Sequence, residues 1–233
     1  MNLKGVKITW LGHAGFRIET PGGKTVLIDP WVNGNPSCPE SEKSFKQVDV
    51  ILCTHGHGDH FADVEALAKK HKATVVGMHE LAIFLRKKDV PLVSGMGKGG
   101  TQTVGDIRVT MVHADHSAAV DIGDEVVYAG EPCGYVVEFA GGLRIYHAGD
   151  TAVFGDMQII RELYAPDIAM LPIGDHYTMG PREAAYACKL LRPKAVIPMH
   201  WGTFPLLTGR PGELAKLVSD VEILEMKPGQ TIS

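Results

Sequence analysis

Eleven histidines stand in this 233-residue chain, and four side chains able to bind a metal fall within one short stretch, His55-Gly56-His57-Gly58-Asp59-His60. Imidazole and carboxylate together suit borderline divalent ions such as zinc, manganese or iron. Neutral imidazoles packed this closely without an ion would leave ring nitrogens unpaired. In extended chain, positions i, i+2 and i+4 share one side. The spacing therefore predicts that His55, His57 and Asp59 converge, with Gly56 and Gly58 letting the backbone bend around the ion. One loop does not complete a centre. Further donors follow other apolar runs: His113 and His116, Asp150 in Gly149-Asp150-Thr151, and His200 in Pro198-Met199-His200-Trp201-Gly202.

The elements that must position these donors read as alternating strands and helices. Strand signals cover residues 6–11, 15–20 and 25–29, with a Pro21-Gly22-Gly23 turn, and a loop rich in Pro, Ser, Asn and Gly follows. Residues 48–54 form a continuous apolar run, the mark of a strand covered on both faces, and end at the histidine loop. Helical spacing appears over 62–71, 80–88, 156–164, 181–191 and 212–219, the fourth opening on Pro181. Strands are expected at 74–77, 90–93, 106–113, 134–139, 143–147, 168–172, 194–198 and 221–224. Residues 15–26 also align without gaps to 134–145, sharing Gly15/Gly134, Glu19/Glu138 and a Gly-Gly turn, and each copy is followed by an aspartate, Asp29 or Asp150. A repeat of this kind predicts one domain over residues 1–233, built of two β-rich halves whose sheets face each other with helices outside.

Composition narrows the classes. The chain is 45% hydrophobic and 21% charged with formal net charge −4, which excludes disorder and argues against nucleic acid as a partner. The densest basic run, Arg86-Lys87-Lys88, ends an expected helix, where cations suit the dipole. No apolar run reaches the roughly 18–20 residues of a membrane helix, and the start of the chain does not read as a secretory signal, so a cytoplasmic protein is expected. Cys38, Cys53, Cys133 and Cys188 lie far apart and read as reduced thiols. Residues 95–100 lack the Gly-Lys-Ser/Thr of a phosphate loop, and no Gly-x-Ser-x-Gly elbow is present.

The donor pattern, His55-x-His57-x-Asp59-His60 followed by a later His, Gly149-Asp150-Thr151 and His200, resembles the metallo-β-lactamase superfamily of binuclear hydrolases. Trp10-Leu11-Gly12-His13-Ala14-Gly15-Phe16, Ile28-Asp29-Pro30-Trp31, Tyr177-Thr178-Met179-Gly180-Pro181 and His200-Trp201-Gly202-Thr203-Phe204 are similar to a metal-dependent hydrolase branch related to L-ascorbate-6-phosphate lactonase and N-acyl-phosphatidylethanolamine phospholipase D. The resemblance implies an α/β fold, a four-layer αββα sandwich. It implies two divalent transition-metal ions, zinc first, with manganese or iron as alternatives. His55, His57 and His116 would hold one ion, Asp59, His60 and His200 the other, and Asp150 would bridge them. His116 is preferred to His113 because His113 shares a strand face with Val109 and Met111, whereas His116 lies beyond the strand.

The same likeness places Asp59 and Asp150 in catalysis, orienting a metal-bridging hydroxide, and places His13, His176, Met179 and Trp201 at a small anionic or ester substrate, with a hydrogen-bonded structural role as the other reading of His13. At His176 the sequence departs from the branch's pattern. Asp29 is expected to steady a ligand imidazole, His147 to pack or support, and His71 and His79 to lie at helix ends. The reaction expected is hydrolysis of a small phosphodiester, phosphorylated lactone or related ester. The alternatives are a non-catalytic metal- or ligand-binding module, or a thiolesterase or nuclease of the same superfamily. His116-Ser117-Ala118 departs from the Thr-Pro-Gly of the thiolesterases, and nothing in the sequence sets an oligomeric state.

Overall fold

The computed structural model describes residues 1–233 and arranges them as two seven-stranded sheets and a two-stranded ribbon. The first sheet takes β1 (Lys7–Gly12), β2 (Gly15–Glu19), β3 (Thr25–Ile28) and β4 (Val50–Leu52). Past α1 (Gly58–Phe61) and α2 (Val64–His71) comes β5 (Thr74–Met78), and past α3 (His79–Lys87) comes β6 (Val93–Met96). The glycine-rich stretch 97–100 then carries the chain across to the second sheet. There β7 (Thr101–Val104) and β8 (Ile107–His113) lead to a ribbon of β9 (Val120–Ile122) and β10 (Glu125–Val127). The second sheet resumes with β11 (Cys133–Glu138), β12 (Arg144–His147), α4 (Met157–Tyr164), β13 (Ile168–Pro172), α5 (Pro181–Leu191), β14 (Ala195–Met199), α6 (Pro211–Leu217) and β15 (Glu222–Ile223). The last strand, β16 (Thr231–Ile232), returns to the first sheet beside β1.

The repeat seen in the sequence is a repeat of architecture. In each sheet three antiparallel strands (β1-β2-β3, then β8-β11-β12) continue into three parallel ones (β4-β5-β6, then β13-β14-β15). The two hairpins pair in the same register, Phe16↔Ile28 and Glu19↔Thr25 matching Tyr135↔His147 and Glu138↔Arg144. The shared glycine has a steric reason. A Cβ on Gly15 would lie 3.1 Å from the Asp29 carbonyl oxygen, and one on Gly134 would lie 3.1 Å from that of Ala148. In this equivalence the counterpart of Asp29 is Ala148, and Asp150 arrives two residues later.

Alternation along the strands builds the layers. Ile168, Met170, Ile197 and Met199 point into a core of 46 buried residues shared with the first sheet. Ala169, Leu171 and Val196 point the other way, into a second core of 17 with Met157, Ile160, Ala184, Cys188 and Leu214 of α4, α5 and α6. On the first sheet α2 and α3 cover β5 and β6. The result is an αββα sandwich.

The expected strand at 90–93 begins only at Val93, because Pro91 has no N–H to give a ladder. The polar edge strand β7, the β9–β10 ribbon, β16 and the single-turn α1 carry too little apolar signal to be read from sequence.

Candidate metal centre

Seven of the candidate donors, His55, His57, Asp59, His60, His116, Asp150 and His200, gather at one rim, beyond the ends of β4, β8, β12 and β14. The histidine loop leaves β4 extended, then turns into helix at Gly58. His57 is the N-cap with φ −62° and ψ 145°, and its carbonyl accepts from the N–H groups of His60 (3.0 Å) and Phe61 (2.9 Å). This turn overrules the period-two expectation. His55 and His57 stay together and are joined by His116, their donor atoms lying within 4.8 Å of one another. Asp59 rotates away into a second group with His60, His200 and His13.

Asp150 lies between the groups. Its Oδ1 is 3.3 Å from His60 Nε2, and its Oδ2 is 3.0 Å from His200 Nε2 and 3.7 Å from His116 Nε2. Gly149, with φ 64°, allows this approach: a Cβ there would lie 2.6 Å from the Cys133 carbonyl oxygen. His116 is brought in by Asp115, whose N–H donates to Thr151 Oγ1 (2.9 Å) and whose carbonyl accepts from Ala152 (2.9 Å). His113 stays outside, exposed, with Nδ1 3.4 Å from Lys98 Nζ.

Beneath the donors runs a hydrogen-bonded layer that sets their tautomers. Asp29 accepts from Thr54 N–H (2.8 Å), Thr54 Oγ1 (2.6 Å) and His60 Nδ1 (2.8 Å). With its own hydrogen committed to Asp29, Thr54 Oγ1 accepts from His55 Nδ1 at 3.0 Å. His55 Nε2 is thereby left as a bare lone pair, 3.0 Å from His57 Nδ1. Asp29 is thus the support the sequence suggested, while Thr54, which immediately precedes the loop, carries no spacing signal of its role. His147 donates from Nε2 to the Ala14 carbonyl (3.0 Å) and accepts from Gly149 N–H (3.1 Å), stitching the sheets together away from the donors. His71 closes α2, and His79 opens α3 exposed to solvent.

Electrostatics follow from this burial. Desolvation lowers the pKa values of His55, His57 and His116, and for His55 and His57 nearby His60 adds to the effect; all three are held in the neutral form that binds metals. Burial also lowers His13, to about 4. For His60 burial works the same way but is outweighed by Asp150 and Asp29, which hold it well above its ordinary value. Asp150, pushed up by burial, is brought well below the usual carboxylate range by His200 and His60.

The residues fit a metal. His60 Nε2, Asp150 Oδ1 and both ring nitrogens of His200 are buried without a hydrogen-bond partner, and the Nε2 atoms of His60 and His200 both face the Asp150 carboxylate. Orphaned donors of this kind, mixed imidazole and carboxylate, are what a divalent ion satisfies.

Of the residues expected at the substrate, Met179 is enclosed and Trp201 is half-buried. Met179 is 2% exposed within the second core, because its segment folds back so that its N–H reaches the Thr151 carbonyl (3.3 Å). Trp201 donates its indole N–H to the Pro198 carbonyl (3.1 Å) and lies 5.5 Å from the Trp10 ring. His176 is exposed on the loop after β13, in the left-handed region with φ 59°. His13 is fully buried against Asp59.

A family model described as beta-lactamase superfamily domain matches residues 7–200. The UPF0173 metal-dependent hydrolase of Koribacter versatilis is 62% identical over 233 residues, covering 100% of both chains. That of Archaeoglobus fulgidus is 48% identical, covering 97% of this chain and 98% of its own. Among solved structures, the metallo hydrolase Igni18 of Ignicoccus hospitalis superposes with a TM-score of 0.85 at 35% identity, over 97% of each chain. The diiron β-hydroxylase CmlA of Streptomyces venezuelae shares the fold, with a TM-score of 0.77 at 15% identity. Matched along its whole length and carrying the donors at the rim of an αββα sandwich, the chain belongs to the beta-lactamase superfamily and, within it, to the UPF0173 metal-dependent hydrolases.

Proposed function

We propose that the rim holds two divalent ions, zinc in the first instance, and hydrolyses a small anionic ester: a phosphodiester, a phosphorylated lactone or a related compound. His55, His57 and His116 would hold one ion, Asp59, His60 and His200 the other, and Asp150 would serve both. The observation that carries this reading is Asp150, whose two oxygens lie within 3.0–3.7 Å of imidazoles from both groups. Bound there, two dications would outweigh the charge of Asp59 and Asp150, bring the ionisation of water towards pH ~7 and polarise the oxygen of an electrophile.

The chain's own residues do the rest. Asp59, with 28% of its side chain exposed, is the carboxylate of the group open to solvent; Asp150 shows 3% and Asp29 none. Asp59 Oδ2 accepts from His13, which leaves Oδ1 as the oxygen for the second ion. Burial pushes this carboxyl up, but His13 and His60 prevail and hold it well below its ordinary value. Thr54 and Asp29 fix the rings of His55 and His60, so their Nε2 atoms need no reorientation.

Purified protein is expected to hold close to two transition-metal ions per chain, by elemental analysis. His55→Ala and Asp150→Ala are each expected to abolish metal-supported turnover across a panel of phosphodiesters, lactones and N-acyl amides with zinc, manganese and iron, while the fold persists. A folded variant with full activity refutes the role given to that residue.

A further inference from the structure

His13 occupies the turn between β1 and β2, fully buried, with φ 54°. Its Nε2 lies 3.0 Å from Asp59 Oδ2 and its Nδ1 lies 2.9 Å from Thr203 Oγ1. An ionised carboxylate only accepts, so in the neutral ring Nε2 carries the hydrogen. Nδ1 is then bare, and the Thr203 hydroxyl donates to it. No lone pair of this ring is left for an ion, although its nitrogen clusters with the donors of Asp59, His60 and His200.

The same residue grips the opposite sheet. The His13 carbonyl accepts from His200 N–H at 2.9 Å and from Trp10 Nε1 at 3.0 Å, and its ring lies 3.9 Å from that of His200. Asp59 comes from α1, which follows β4, and His200 from the end of β14, so one residue touches two donors supplied from different sheets. Asp59 is partly exposed and its carboxylate is held by the hydrogen bond from His13; without it, an ion would have to order that side chain at an entropic cost.

We infer that His13 is a positioning residue for the second ion: it binds no metal and touches no substrate, but locks Asp59 through Nε2–H and His200 through its carbonyl and ring face. The inference rests on the two-ion reading above. Of the two readings the sequence left open for His13, it takes the hydrogen-bonded one.

The test is stepwise titration of metal-free protein with Co2+, followed by visible absorption against a competing chelator. Wild type should fill in two steps; Asp59→Asn identifies the second ion's step and His57→Ala the first. His13→Ala should weaken the second step about 10–100-fold, the range for residues that orient a metal ligand, and leave the first unchanged. His13→Gln, which keeps an N–H for Asp59, should recover most of the loss. Thr203→Val, on a partly exposed loop, should weaken the same step less. In an Asp59→Asn background His13→Ala should add little, because the two act as one unit.

Two wild-type steps with the second unmoved by either His13→Ala or Thr203→Val overturn the inference and leave the two-ion reading standing. Equal loss of both steps, or additive loss in the Asp59→Asn background, overturns it as well. Should His13→Ala lose its near-UV circular dichroism, Thr203→Val decides alone. A wild type that binds one ion overturns both readings.

Discussion

At the scale of single residues, the rim shows how much of a metal centre lies behind the donors. Asp29 accepts three hydrogen bonds, two from Thr54 and one from His60, and through Thr54 it reaches His55 as well. One buried carboxylate thereby fixes a donor in each group. Its φ of 46° lies in the left-handed region, as do those of His13 and His200, a strain that surrounding contacts must hold in place. Asp29→Ala is therefore expected to lower affinity for both ions about 10–100-fold, without removing a ligand. Chelator competition on the folded variant measures this. An effect confined to one ion would show that Asp29 supports only His60.

Among the elements, β12, β13 and β14 are latched at the end opposite the donors. Asp167, just before β13, accepts from Arg144 N–H through Oδ2 (3.0 Å) and from Lys194 Nζ through Oδ1 (2.7 Å). Its backbone N–H donates to the Arg144 carbonyl (2.8 Å), and its carbonyl accepts from Lys194 N–H (2.9 Å). Partial burial pushes the Asp167 carboxyl up, but Lys194 and the Arg144 N–H prevail and hold it below its ordinary value. A carboxylate depressed in the folded state adds stability above its unfolded value, about pH 4, and loses that contribution as pH falls towards the folded value. Asp167→Asn should therefore cost about 0.5–1.5 kcal/mol at pH 7, the worth of one hydrogen bond. The gap from wild type should narrow below about pH 4. Urea unfolding at pH 7, 5 and 3.5 checks this; a gap that widens in acid contradicts it.

Over the whole molecule, the largest core belongs to neither half: it joins Ile8, Phe16 and Leu27 of the first sheet to Val109, Tyr135 and Met170 of the second. The four thiols are closed into the interior without disulfides. Two of them brace the metal loop, Cys53 donating to the His55 carbonyl and Cys133 to the Thr54 carbonyl, each at 3.2 Å. Burial pushes Cys38 up to about 11 and Cys133 and Cys188 to about 12, and raises Cys53 well above its usual value. Native protein at pH 8 should accordingly show almost no rapid reaction with a disulfide-exchange reagent, and four thiols in guanidinium. Rapid native labelling would mean that the sandwich opens locally at low cost. No helix is long and apolar enough to cross a membrane.

The sequence alone determined the strands and helices with strong apolar period, the duplicated hairpin, and the donor types in residues 55–60, because these depend on neighbours a few positions away. Only the tertiary structure decided the company each donor keeps. Asp59 leaves His57 because helix starts at Gly58, and it meets His200 from the other sheet. Met179 is claimed by packing, while buried His13 contacts Asp59 and His200 from opposite sheets. Such partnerships join residues far apart along the chain. They are fixed by how two twisted sheets meet at one rim, a distance relation that no local spacing encodes.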